Sequence, residues 1–179
     1  MDFADLVRRR KMTRDYSPEP VAEELLDHVL DQARRVPSAG NTQGFHFVVL
    51  TGSEETGRYW DVTFPVDRRA GFRWQGLFRA PVIVTVWGDP DAYVARYAEE
   101  DKARTGLGSG ADAWATPYCV VDASFAAMAM QFAAIDAGLG VLFFGMFDHA
   151  AAVATAFGVP ESMVPIGTLT IGWPAEETG

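Results

Sequence analysis

The chain has 179 residues, 49 % of them hydrophobic, and carries a formal net charge of −9 with a sequence pI of about 4.7. This composition fits a single domain spanning residues 1–179, and it argues against a nucleic-acid binder, which usually has a basic face and a high pI. No apolar run approaches the roughly eighteen uncharged residues of a membrane span, and the charged start MDFADLVRRR lacks a signal peptide's apolar region, so we expect a cytoplasmic protein without membrane contact.

A short helix is predicted over residues 2–11, and it leads into a cluster of cations. Five of the fifteen Lys and Arg residues lie within seven positions: Arg8, Arg9, Arg10, Lys11 and Arg14. Such a concentration on an acidic body predicts a local anion, and a phosphate monoester matches the guanidinium in geometry. Favourable interaction with a helix C-terminus is the alternative for most of them. We single out Arg10 and Arg14, which share one face if the helix continues that far.

A second helix, from about Val21 to Arg35, precedes the segment PSAGNTQGFHFVVL at 37–50, where a turn enters a strand predicted over 45–51. Small residues at 38–40 leave the backbone open to a ligand. The polar residues at 41–43 offer donors and acceptors suited to a heteroaromatic ring. An ordinary helix–strand connection is the alternative, because these residue types cluster in turns for local reasons.

The middle of the chain alternates helices and strands before its pattern decays. We predict a helix from Glu54 to about Thr63, an apolar strand from Val82 to Trp87 and a short helix from Asp89 to about Ala98. The stretch 99–117 contains three glycines and has no clear period. We expect it to be a mobile loop or a lid over a site.

The longest predicted helix runs from about Asp122 to Ala137 and is apolar almost all round, so it must be central. Gly138 and Gly140 would end it. A strand or loop follows over 141–147, then a helix over 150–157 that Asp148 can cap, and a last strand over 164–173.

Cysteine and histidine give no sign of a metal or thiol site. Cys119 is the sole cysteine, which excludes an intrachain disulfide and suits a small apolar filler. The three histidines, His28, His46 and His149, lack metal-ligand spacing. We therefore expect no bound metal.

Five segments, in this order along the chain, resemble those of the flavin-dependent nitroreductase-like oxidoreductases. They are RRRKMTRDYSPEPV at 8–21, PSAGNTQGFHFVVL at 37–50, FRAPVIVTVW at 78–87, VVDASFAAMAMQFAAIDAGLGVLFFG at 120–145 and FGVPESMVPIGTLTIGWP at 157–174. Met12 and the pattern PYCVVDAS resemble an actinobacterial-type branch. The resemblance implies an α+β fold, with a mixed, mainly antiparallel sheet flanked by helices, completed as a homodimer with FMN sites at the interface.

The activity that this resemblance implies is two-electron transfer through FMN, from NADH or NADPH to a nitroaromatic, a quinone or a similar small-molecule acceptor. The flavin carries the chemistry, so no catalytic side chain is expected. The resemblance assigns FMN contacts to three groups: Arg10, Met12 and Arg14; Pro37, Ser38, Ala39, Asn41 and Gln43, donated by the other subunit; and Phe143, Phe144, Gly145 and Met146. Arg10 matches the phosphate-binding arginine, and Arg14 matches a basic position near the ribityl chain or the ring.

Two departures from the family pattern affect this expectation. Position 12, commonly Ser, is Met12, so only its backbone can assist. The family usually ends in a basic tail, whereas this chain ends in PAEETG, where Glu176 and Glu177 cannot replace the cations. A non-catalytic flavin- or deazaflavin-binding protein on the same fold therefore stays open as an alternative.

Overall fold

The structure is a computed structural model that describes residues 2–175. Its helices are α1 (Phe3–Arg9), α2 (Glu23–Arg34), α3 (Gly52–Thr63), α4 (Val66–Arg69), α5 (Pro90–Ala98), α6 (Tyr118–Asp136) and α7 (Ala150–Phe157). Its strands are β1 (Phe45–Thr51), β2 (Val82–Gly88), β3 (Gly140–Phe144) and β4 (Val164–Gly172). Single 3₁₀ turns include Ala39–Asn41, Gln75–Arg79 and Phe147–His149.

The four strands form one antiparallel sheet in the order β1-β2-β4-β3. Strand β2 is buried along its whole length, in agreement with its mainly apolar sequence VIVTVWG. Its alternate residues serve two cores: Val84 packs with α2 and α6, while Ile83 packs with α3 and α7. The sheet is therefore covered on both faces by helices.

Helix α6 is the central helix, as its all-round apolar sequence predicts. It contacts α2 and all four strands. It begins at Tyr118 rather than at Asp122, because Asp122 is a buried residue inside the helix and not its cap. The helix ends as predicted, since Ala137 caps it and Gly138 follows with φ +82°.

By length and composition alone α6 could also cross a membrane. The sequence had predicted no such span, because no apolar run approaches roughly eighteen uncharged residues. A core helix passes the same test, and 44 % of the apolar window of α6 is buried inside the protein. Its contacts with the sheet account for the apolar residues on its buried side.

Two local predictions from the sequence are wrong. Helix α1 ends at Arg9, so Arg10 and Arg14 do not share a helical face. Instead residues 12–14 run beside β3, where the Thr13 amide donates to the Val141 carbonyl at 2.9 Å. Asp148 does not cap α7, because it lies in the preceding 3₁₀ turn and His149 occupies the N-cap without a side-chain hydrogen bond.

The stretch 99–117 folds back on α5 as three short 3₁₀ turns. The Trp114 ring packs edge-on against Tyr97 with a centroid separation of 4.6 Å, and its Nε1 donates to the Leu107 carbonyl at 3.0 Å. A Cβ added to Gly108 would lie 2.5 Å from the backbone nitrogen of Ala98, so the close approach requires glycine there. The mobility of this stretch stays a prediction.

Candidate functional site

A cavity of about 390 Å³ opens on the face of the sheet that α3 and α7 cover. The end of β3 and the turn after it line one part, through Phe143, Phe144, Gly145 and Met146. Arg14 enters the same cavity from the extended segment beside β3. Five of the twelve residues assigned to FMN thus lie together.

Aromatic side chains form most of the remaining wall. The Trp60 and Phe144 rings are parallel within 9° at a centroid separation of 6.2 Å, and Phe78 meets Trp60 edge-on at 5.1 Å. Phe72 connects this group to Trp74 at 5.6 Å. Broad apolar faces of this kind suit a planar ring system, with few polar groups to fix its orientation.

Arg14 is the cation of the cavity. Its guanidinium lies 4.9 Å from the centre of the Trp74 ring, and Nη1 donates weakly to the Met12 carbonyl at 3.4 Å. Within residues 2–175 no carboxylate pairs with Arg14. Its charge is therefore available to an anionic or electron-rich group of a ligand.

Close packing holds the segment that carries Arg14. Tyr16, fully buried, donates through its hydroxyl to the Thr13 carbonyl at 3.0 Å and shares a hydrogen bond with Thr170 Oγ1 at 2.9 Å. Burial raises the pKa of this phenol. A Cβ at Gly140 would lie 2.7 Å from Thr13 Oγ1, so β3 accepts the segment only because glycine stands there.

Tyr59 lines the cavity but is committed to the sheet. Its hydroxyl shares a 2.8 Å hydrogen bond with Thr168 Oγ1, and burial raises its pKa to about 12. The phenol therefore stays neutral at physiological pH. Neither geometry nor charge marks it as an acid or base for catalysis.

Arg10 and Met12 lie outside the lining of the cavity. Arg10 caps α1 and is half-buried, and its side chain makes no hydrogen bond or ion pair in the described part of the chain. Arg8, by contrast, pairs with Asp5. Met12 forms a bridge with Val141, and its side chain packs on the core beneath the cavity. Arg10 is thus a half-buried cation close in sequence to the Arg14 segment, whereas its neighbours Arg9 and Lys11 are exposed.

The segment 37–43 is at the other edge of the sheet. It precedes β1, three strand spacings from β3, which corresponds to on the order of 14 Å. Gln43 lines a separate groove between α2 and β1, and Pro37, Ser38, Ala39 and Asn41 do not line the aromatic cavity. Within one chain, the predicted FMN residues of the segment 37–43 therefore lie apart from Arg14 and the residues 143–146.

The backbone of this segment is unusual. Asn41 and Gln43 adopt positive φ angles of 54° and 52°, and both side chains are exposed. The Gln43 amide donates to Ser38 Oγ at 2.8 Å and closes the turn. Non-glycine residues in the left-handed region cost energy and persist only where the surroundings fix them, which often occurs at functional sites.

The structure adds residues that the sequence reasoning did not assign to the site. Trp60 and Phe78 line the cavity, and His149 reaches it from the turn before α7. Nothing in the sequence around Trp60 and Phe78 distinguishes them from aromatic residues that only pack in the hydrophobic core. Phe64, Phe72 and Trp74 also line the cavity, whereas Trp114 and Tyr118 do not.

Metal and thiol chemistry find no support in residues 2–175. No group of three or more His, Cys, Asp or Glu side chains could hold a metal ion there. Cys119 is buried, and that burial raises the pKa of its thiol, which keeps it protonated. The cavity's chemistry is therefore that of an aromatic slot beside one guanidinium.

Comparisons with known proteins agree with this geometry. The sequence profile of the nitroreductase family matches residues 7–173. A Methanothermobacter thermautotrophicus protein, provisionally named NADH dehydrogenase/NAD(P)H nitroreductase, is 27 % identical over 182 residues, covering 100 % of this chain and 81 % of its own. The 5,6-dimethylbenzimidazole synthase of Rhodospirillum rubrum is 28 % identical over 185 residues, covering 96 % and 82 %.

A solved structure gives the same result for the fold. The FMN complex of an Exiguobacterium sibiricum protein, provisionally named a nitroreductase, superimposes with a TM-score of 0.76 at 21 % identity, covering 98 % of this chain and 90 % of its own. The mixed fold of helices around a mainly antiparallel sheet, expected from the sequence, is confirmed.

Proposed function

The chain belongs to the nitroreductase family, and on that premise we propose that it is an FMN-dependent oxidoreductase. It would pass two electrons from NADH or NADPH to a nitroaromatic, a quinone or a similar electron-poor acceptor. The observation that carries the proposal is the aromatic cavity in which Arg14 meets Phe143, Phe144, Gly145 and Met146. Its residues bind and orient, and none is placed as a nucleophile or a proton donor.

The cavity fits a flavin in chemistry. Its aromatic faces suit a tricyclic ring, and the unpaired Arg14 guanidinium favours negative charge on whatever ring lies beside it. When bound, FMN supplies the two-electron chemistry. Arg10 would hold the phosphate, because it is a half-buried cation without a carboxylate partner in the described chain.

We infer a homodimer from two further features. Helix α6 presents Phe125 and Met128, exposed by 48 % and 42 %, on one side, and Phe3 of α1, exposed by 70 %, packs beside the same helix at Phe132. An apolar surface of this kind favours burial against a second copy. A partner would also supply the segment 37–43, which lies far from the aromatic cavity of its own chain.

Other parts of the proposal rest on the sequence. Met12 offers only its backbone, and the acidic tail with Glu176 and Glu177 lies outside the described residues. We also propose a cytoplasmic protein without nucleic-acid or membrane partners, consistent with its net charge of −9. Membership of an actinobacterial-type branch stays a prediction.

The experiment is a visible absorption spectrum of the purified protein before and after incubation with FMN and desalting. Anaerobic NADH and then NADPH are added to the reconstituted sample, followed by a nitroaromatic or a quinone. We expect a retained flavin band that bleaches with one nicotinamide donor and returns with the acceptor.

Other outcomes separate the alternatives. Tight FMN without bleaching would replace the enzyme by a non-catalytic flavin-binding protein, and tighter binding of a deazaflavin would change the ligand. A sample that stays colourless after reconstitution would contradict the proposal. Because one relative is named 5,6-dimethylbenzimidazole synthase, the reaction mixture is also analysed for that compound, whose appearance would indicate the other activity.

A further inference from the structure

Asp122 is the one acidic side chain buried in the interior of α6, with 2 % exposure. Its Oδ2 accepts two hydrogen bonds, from the Ala39 amide at 2.8 Å and from the Tyr93 hydroxyl at 2.7 Å. Ala39 belongs to the segment 37–43, and Tyr93 to α5. A single carboxylate oxygen therefore joins α6, α5 and the turn.

Helix α5 holds the same turn at three further points. Arg96 Nε donates to the Gly40 carbonyl at 3.0 Å. The rings of Tyr97 and Tyr93 fit against two glycines: a Cβ at Gly40 would lie 2.8 Å from Tyr97, and a Cβ at Gly44 would lie 2.5 Å from Tyr93. The turn thus packs against two tyrosine rings, and its Ala39 amide donates to Asp122.

A contribution to the stability of the fold does not by itself explain why a carboxylate is buried at position 122. A buried carboxylate loses its hydration, and in residues 2–175 no cation pairs with Asp122. In exchange, the carboxylate accepts hydrogen bonds from the Ala39 amide and the Tyr93 hydroxyl. The pKa of Tyr93 is raised by burial and by its hydrogen bond to Asp122. Its hydrogen bonds go to the turn and to the tyrosine that supports it.

The turn needs such support. Asn41 and Gln43 hold positive φ angles, and their side chains extend into solvent. Conformations of this kind persist only when neighbouring contacts determine them. With the Ala39 amide fixed by Asp122, the two strained residues that follow are held in one orientation.

We propose that Asp122 is a positioning residue that presents the segment 37–43 to the flavin of the neighbouring subunit, with Tyr93 as its support. This inference rests on the proposed function, which gives that segment its ligand. Neither residue contacts the ring. They act through the backbone of the turn, which they hold in the bound conformation before FMN arrives.

The test compares four variants with the wild-type homodimer. Asp122→Ala removes both hydrogen bonds, Tyr93→Phe removes one, and Asp122→Asn keeps an oxygen for both donors. Thr85→Val is the matched control, because it removes a buried hydrogen bond, from Trp87 Nε1 at 2.8 Å, in a strand away from the turn. Each is measured by melting temperature, by hydrogen–deuterium exchange without FMN and by FMN titration.

In Asp122→Ala we expect faster exchange confined to residues 37–44 and FMN binding weaker by roughly tenfold or more. Tyr93→Phe should lie between this variant and the wild type. Asp122→Asn should recover most of the affinity, to within about threefold. Thr85→Val should lower the melting temperature and leave FMN affinity unchanged.

The outcomes separate the two proposals. A wild type that binds FMN, with Asp122→Ala binding equally well at unchanged exchange of 37–44, would overturn this inference alone. The same holds if Thr85→Val weakens FMN binding as much as Asp122→Ala does, since the loss would then follow stability. A wild type that takes up no FMN overturns the proposed function and this inference with it.

Discussion

Replacing Arg10 by Ala should weaken FMN binding far more than replacing Arg8, two residues away. Both changes remove one positive charge from the same segment, so their long-range effects on an anion are similar. They differ locally: Arg8 is 70 % exposed and paired with Asp5, whereas Arg10 is half-buried and has no carboxylate partner in the described chain. Of these two arginines, only Arg10 has a guanidinium that is free to bind the phosphate.

The size of the effect follows from the bond that is lost. A hydrogen bond to a charged group contributes about 1.5 to 3 kcal/mol, and every 1.4 kcal/mol is about tenfold in affinity. We therefore expect the dissociation constant to rise by roughly 10- to 150-fold in Arg10→Ala. For Arg8→Ala, screening at physiological salt leaves a change of about threefold or less.

Quenching of flavin fluorescence on titration into the apoprotein measures both constants. Repeating it with riboflavin, which lacks the phosphate, gives the internal control: the two variants should then bind equally. Equal losses of FMN affinity in the two variants, or a loss in Arg10→Ala that persists with riboflavin, would refute the phosphate assignment.

Three further predictions concern the cavity, the dimer and the packing. Arg14→Met should keep the contact with Trp74 but remove the cation, which lowers the midpoint potential of the bound flavin in a spectroelectrochemical titration; an unchanged potential would place the charge away from the ring. Phe125→Glu should place a charge on the exposed apolar side of α6 and shift sedimentation toward the monomer, while Ala152→Glu at an exposed position of α7 gives the comparison. Gly140→Ala should cost about 1 to 3 kcal/mol in urea unfolding, since its Cβ would overlap Thr13; Gly57→Ala, where an added Cβ meets no atom within 4 Å, should cost nothing similar.

The regular elements could largely be predicted because their periods are strong. The strand 45–51 and the helix 150–157 have the predicted limits, and the mainly apolar sequence of α6 correctly predicted its central position. The predicted helix starts were less accurate where a polar residue near the start has another role in the structure. The helix was predicted to begin at about Asp122, but it begins at Tyr118, and the Asp122 carboxylate is buried and accepts a hydrogen bond from a turn 83 residues away.

The candidate site was predicted only in part. Arg14 and the residues 143–146 lie together, as the resemblance implied. The basis offered for Arg14, a helix shared with Arg10, was wrong, because a parallel bridge to Val141 and not helical spacing sets its position. Contacts between distant segments, such as Trp60 against Phe144, leave no pattern in the local sequence.

The tryptophans are distributed so that the protein carries its own optical reporters. Trp60 and Trp74 line the aromatic cavity, Trp114 packs against Tyr97, whose ring lies against Gly40 of the segment 37–43, and Trp87 and Trp173 lie elsewhere. Indole emission overlaps flavin absorption, so a bound flavin quenches each indole according to its distance. In the proposed homodimer, a variant that keeps only Trp60 would report on the aromatic cavity, and one that keeps only Trp114 would report on the region of the turn 37–43. Energy transfer in mixed dimers would then show which chain contributes each part of the site.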